Sequence, residues 1–92
     1  REGKIENVYR LQIMNTDEHV HRYTVKVSGL QGMQVVPSAP ITIAGATTQS
    51  VTVILRIDPA GIKPGAHNIL FHIEDLEQPA IRVDEKSRFF IR

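Results

Sequence analysis

Three features of the sequence predict an all-β protein built as an antiparallel sandwich. Apolar residues recur at every second position in several stretches, the mark of strands that bury one face. Six or seven such stretches follow one another at intervals of about 8–12 residues, separated by turns rich in Gly, Pro and Asp. No stretch keeps the i, i+3, i+4, i+7 spacing of an amphipathic helix for more than a turn.

The elements can be justified in order. Tyr9, Leu11 and Ile13 alternate with Arg10, Gln12 and Met14, so the first strand turns its odd positions inward, and Asn15-Thr16-Asp17-Glu18 reads as a polar turn. Tyr23, Val25 and Val27 repeat the pattern against Arg22, Thr24 and Lys26, up to the punctuation at Gly29-Leu30-Gln31-Gly32. Met33 to Val36 is a short strand stopped by Pro37 and Pro40, which places it at an edge or a crossover. Ile41 and Ile43 precede the turn at Gly45. Val51, Val53, Leu55 and Ile57 then give the longest alternation, in which Ile54 breaks the polar face and covers a neighbouring strand. Two prolines and two glycines between Asp58 and Gly65 predict a turn of helix and a tight return. Ile69, Phe71 and Ile73 form the sixth strand, ending in an acidic loop from Glu74 to Pro79, and the last strand runs from Ile81 to Ile91.

With 92 residues the chain, 1–92, is a single domain, and at 41% hydrophobic it can form the compact core such a length requires. Charged residues are interleaved in sign and the net charge is +1, which provides no basic face for nucleic acid. Arg82, Lys86, Arg88 and Arg92 lie near one another, but Asp84 and Glu85 interrupt them. The absence of cysteine excludes thiol nucleophiles, zinc-finger patterns and iron–sulfur ligation within these residues. It also removes the disulfide of antibody domains, and their core tryptophan is missing too, so the topology is immunoglobulin-like without the antibody hallmarks. No apolar run approaches the roughly 20 residues that span a bilayer. The chain opens at Arg1 without a methionine or a signal-peptide pattern, as a domain excised from a longer protein would.

Candidate sites are few. His19 and His21, flanked by Asp17 and Glu18, put two imidazoles at i and i+2, which in extended chain point to one side and offer nitrogen ligands to copper or zinc. The alternative is a solvated turn and strand start. His67 and His72 fall on opposite faces of one strand. Met33 reads as a core filler, whereas Met14 is open between filler and soft thioether ligand. Gly29 to Gly32 matches a nucleic-acid-clamping GXXG loop in letters only, because strands flank it. Glu74, Asp75 and Glu77 lack the further oxygen ligands of a calcium loop and read as solvated. No serine sits in a nucleophile elbow, so no catalysis by these residues is expected.

Three stretches together carry a family resemblance: Ile5-Glu6-Asn7-Val8-Tyr9-Arg10-Leu11-Gln12-Ile13-Met14-Asn15, Val27-Ser28-Gly29-Leu30 and Asp84-Glu85-Lys86-Ser87-Arg88-Phe89. In that order and spacing the chain resembles the C-terminal immunoglobulin-like domain of the FixG/CcoG family of cytochrome oxidase accessory proteins. The resemblance implies a parent with several membrane helices and two iron–sulfur clusters, implicated in assembling the cbb-type oxidase through handling or reducing copper. It implies a periplasmic domain after the last membrane helix, and protein partners such as oxidase subunits or a copper carrier. The cluster motifs do not lie in this chain, so no cofactor is expected here.

Within that frame Tyr9 is a core residue whose hydroxyl needs a partner. Lys86 and Arg88, before Phe89, are either a recognition edge or pins for the last strand through cross-strand pairs. Three roles follow: a docking module that accepts a partner strand at the edge near Pro37 and Pro40; a copper site at His19 and His21; or a spacer.

Overall fold

The computed structural model describes residues 3–92; Arg1, where the excised boundary is expected, lies outside the described residues. Seven strands form: β1 (Ile5–Asn15), β2 (His21–Ser28), β3 (Gln34–Val36), β4 (Ile41–Ile43), β5 (Thr47–Ile57), β6 (Gly65–Asp75) and β7 (Arg82–Ile91). They make two antiparallel sheets, a three-stranded one in the order β1-β5-β3 and a four-stranded one in the order β4-β2-β6-β7. Only β6 and β7 form a hairpin within one sheet. Every other pair of consecutive strands lies in different layers.

Except at the start of the last strand, where Ile81 and Val83 are exposed, the alternation read from the sequence is the burial pattern observed. Leu11 and Ile13 of β1 and Val53, Leu55 and Ile57 of β5 face Ile69, Phe71, Ile73 and Phe89 of the other layer, all of them buried. Phe71 also meets the Tyr9 ring edge to face, at 5.1 Å between centroids. Ile54 lies on the outer face between its cross-strand neighbours Val8 and Val36, a short apolar row that covers the three-stranded sheet. Met33 packs against the core from its rim, as a filler does.

Three local readings change. The segment after Asp58 closes as a tight turn rather than a turn of helix, with the Ile62 N–H donating to the Pro59 carbonyl at 3.0 Å and Gly61 at φ +80° supplying the left-handed position. β6 continues through Glu74 and Asp75, so the acidic loop begins later than the sequence suggests. And β1 continues through Asn15, which is buried instead of opening a solvated turn. In both strands the odd-inward period runs on through a polar residue that the fold has reason to bury.

Candidate functional site

The two layers do not lie squarely over each other. Near its start, β1 is tied to β7: the Asn7 carboxamide donates to the Phe90 carbonyl at 3.3 Å and accepts from the Phe90 N–H at 3.0 Å, and the Tyr9 hydroxyl donates to the Arg88 carbonyl at 2.7 Å. At its end, β1 is tied to β4 through Asn15, whose Nδ2 reaches the Ile43 carbonyl at 3.2 Å. β7 and β4 are opposite edges of the four-stranded sheet, so β1 crosses its full width. Sheet twist produces such a crossing.

The crossing leaves a corner uncovered. Along β7 the inward positions Ser87, Phe89 and Ile91 are covered, Phe89 completely. Val83 and Glu85 have the same parity, yet Val83 is 57% exposed and Glu85 is exposed as well. A cleft of about 300 Å³ opens there, walled by Gln12 to Asp17 at and just beyond the end of β1 and by Ile81, Val83 and Glu85 at the entry and start of β7, with Tyr23, Ile73 and Asp75 at its base.

At the closed end of the cleft stands an ionic latch. His21 points one ring nitrogen at each of two carboxylates: Nδ1 meets Asp75, and Nε2 lies 2.8 Å from Asp17. Both ring nitrogens then donate, which only the imidazolium can do. The Asp17 carboxylate, and after it that of Asp75, raises the His21 pKa above its ordinary value against the opposing effect of burial. Asp17 in turn is held down at about 2 by the His21 hydrogen bond and the Glu18 N–H. The Asp75 side chain is wholly covered. Burial pushes its carboxyl up, but the N–H groups of Glu77 and Gln78, donating at 2.8 and 3.0 Å, and the His21 imidazolium prevail, and its pKa ends below the usual range.

Beside the latch, Asn15 closes two loops on one another. Its Nδ2 donates to the carbonyls of His19 at 2.8 Å, Ile43 at 3.2 Å and Ala44 at 3.2 Å, and its Oδ1 accepts from the Asp17 N–H at 3.0 Å. Gly45 is required at this junction, since a Cβ there would sit 1.9 Å from the Glu18 carbonyl oxygen.

The two histidines proposed from the sequence both approach one carboxylate, His19 Nδ1 at 3.5 Å and His21 Nε2 at 2.8 Å from the Asp17 oxygens. His19 lies in the bend before β2, not in extended chain, and its side chain is 85% exposed. His21 opens β2 with its side chain only 13% exposed, both nitrogens engaged, so an ion at His21 has to displace Asp17 or Asp75. Among the described residues no group of three or more His, Asp or Glu is arranged to hold a metal ion. His67 and His72 do take opposite faces: His67 Nε2 lies 2.6 Å from the Lys63 carbonyl, while His72 on the outer face meets Asp84 and Ser28 at 2.8 and 2.9 Å.

That outer face of the four-stranded sheet is a polar network. Glu74 joins Lys26 at 3.5 Å and Arg82 at 3.6 Å, and Arg82 also holds Asp84 at 3.1 Å. His72, then Arg82, keeps the Asp84 pKa low. Lys86 and Arg88 continue the same row of β7, opposite Leu70 and Asn68. Among the described residues neither has a carboxylate within ion-pair distance, and exposed Phe90 comes next in the row. Met14, 65% exposed, sits on the cleft wall. Gly29 and Gly32 both have positive φ and serve a turn between strands. Sequence reasoning missed Asn15, Asp75 and the cleft, although the unbroken parity through positions 15 and 75 was a usable signal for the first two.

Fold and site together define an immunoglobulin-like sandwich whose polar groups are engaged in holding loops and edges, with one open corner between its layers. The sequence pattern described as "IG-like fold at C-terminal of FixG, putative oxidoreductase" matches residues 1–92, and the chain belongs to that family of FixG C-terminal domains. A FixG-related protein from Vibrio parahaemolyticus is similar in structure, with a TM-score of 0.87 at 23% identity over 99% of this chain and 83% of that one. None of the curated proteins matches the chain.

Proposed function

We propose that this domain is a non-catalytic docking module of a membrane-bound FixG-type protein, placed on the periplasmic side of the inner membrane. There it presents the parent to protein partners in cbb-type oxidase assembly, oxidase subunits or a copper carrier. The observation that carries this reading is the open corner over β7, where Val83 and Glu85 hold core positions that nothing in the described fold covers. A spacer has no need of Val83 and Glu85 left bare at inward positions beside a free sheet edge. Membership in the FixG family supports the parent and its setting.

The test is an exchange. In the parent gene, this domain is replaced by an unrelated immunoglobulin-like sandwich of similar length, and assembled oxidase is measured by haem-stained native gels. Loss of assembly with normal parent abundance supports docking. Full assembly with the foreign sandwich would show that the domain is a spacer.

A further inference from the structure

We propose that the open corner receives an extended segment of a partner protein, which adds as a fourth strand at the free edge of β1 and carries a lysine or arginine opposite Glu85. This inference rests on the docking reading and specifies its partner surface.

Backbone complementarity is the first argument. Among the described residues β1 pairs with β5 alone, so alternate N–H and C=O groups along its other side face away from the ladder. An unpaired edge of that kind is a template for strand addition. Its last turn-free stretch, Gln12 to Asn15, forms one wall of the cleft, so an added strand would lie inside the cleft and not beyond it.

Layer arithmetic is the second. Three strands lie over four, and β7 is the one left bare along its first half. A strand beside β1 would stand above that half. Its inward side chains would meet Ile13, Ile73 and Val83, and its outward ones would continue the polar face of β1.

Charge is the third argument, and it selects the occupant. Of the charged groups lining the cleft, His21 is engaged by Asp17 and Asp75, while Arg82 is held on the outer face by Asp84 and Glu74. Glu85, at an inward position, is without an ion partner among the described residues. A cation among alternating apolar residues complements it, and an anion there faces both Glu85 and Asp17.

The probe is a capped peptide, Thr-Val-Thr-Lys-Thr-Val-Thr, with a twin carrying Glu for Lys, titrated into the chain and followed by amide NMR. The lysine peptide is expected to shift amides of residues 12–16 and Val83 and to slow exchange at alternate β1 amides. It should bind about tenfold tighter than its twin, and Glu85→Lys should reverse that preference. Val83→Ser, at an exposed position, removes apolar surface without adding charge and should weaken binding of both. Three results overturn the proposal: no shifts up to millimolar peptide, shifts confined to the Lys86 and Arg88 face, or dimerisation of the chain through β1. Peptide binding without any assembly defect in the domain exchange would refute docking in the cell while leaving the groove. The opposite pair of results would place docking elsewhere on the domain.

Discussion

Replacing Asn15 by alanine breaks a buried hydrogen-bonded junction outside the apolar core. Asn15 is 2% exposed, and its carboxamide joins three carbonyls and one N–H from the end of β4 and the loops that follow β1 and β4. An amide has two protons, so three acceptors share them, and truncation removes about two donated bonds and one accepted bond. At about 1 kcal/mol net for each, the loss is about 3 kcal/mol. The Ile43 carbonyl, whose bond to Asn15 is buried, also loses that partner, which adds about 1–2 kcal/mol. A total of about 4–5 kcal/mol is a large share of the roughly 5–15 kcal/mol that stabilises a small domain. It should lower Tm by about 15–40 °C, measured by far-UV circular dichroism and checked by urea titration. Asn15→Asp adds a sign test. Its carboxylate would face the same carbonyls, so its folded pKa lies above the unfolded one, and the variant's deficit relative to wild type should grow as pH rises through the folded value. A deficit below about 1 kcal/mol for Asn15→Ala, or one for Asn15→Asp that shrinks with rising pH, would refute this account of the junction.

The latch gives a pH profile. His21 has a raised pKa, so its contribution is complete below the ordinary imidazole range and is lost as pH rises through the raised value. Asp17 and Asp75 have lowered pKa values, so theirs is complete above the ordinary carboxylate range and is lost as pH falls, for Asp17 toward about 2. Tm against pH should therefore show a plateau between two limbs, and His21→Gln should flatten the alkaline one. A His21 ring resonance titrating at or below 6.5 contradicts the assignment. Gly45→Ala drives a methyl into the Glu18 carbonyl and should destabilise by about 1–3 kcal/mol, seen as a lowered urea midpoint; an unchanged midpoint means the loops part freely. Tyr9→Phe keeps the ring on Phe71 but loses the bond to the Arg88 carbonyl, at a cost of about 1 kcal/mol in the same titration. Its phenol, pushed up to about 12 by burial, should stay protonated in the folded chain through ordinary tyrosine pH, which ultraviolet titration reads directly.

Much of this fold was legible because period two is a local property. Tyr9, Leu11 and Ile13, or Val51, Val53 and Leu55, declare their inner face without knowledge of what covers it. Ile54 was legible for the same reason, as a break in parity that needs a neighbour. The cleft was not, since the same parity buries Phe89 and leaves Val83 bare, and only the angle between the layers distinguishes them. That angle is set by twist and by ties such as Asn7 to Phe90, which join residues at opposite ends of the sequence. Asp75 was misread for a different reason. A carboxylate at an inward position looks like a loop residue until its partner, His21, is seen to arrive from another strand. The histidine pair was read with His19 in extended chain, whereas β2 begins at His21 and His19 lies in the bend before it.

The way the chain passes back and forth between layers has a bearing on the edge of β1. β1 is held by β5, a strand that begins more than thirty residues later, after segments of the other layer have been laid down. The other wall of the cleft is formed by β7, the last strand in the sequence, so the corner that this edge borders does not exist in a half-made chain. A partner that grips it thereby tests the whole domain for completeness, and a nascent or damaged copy offers it nothing to hold.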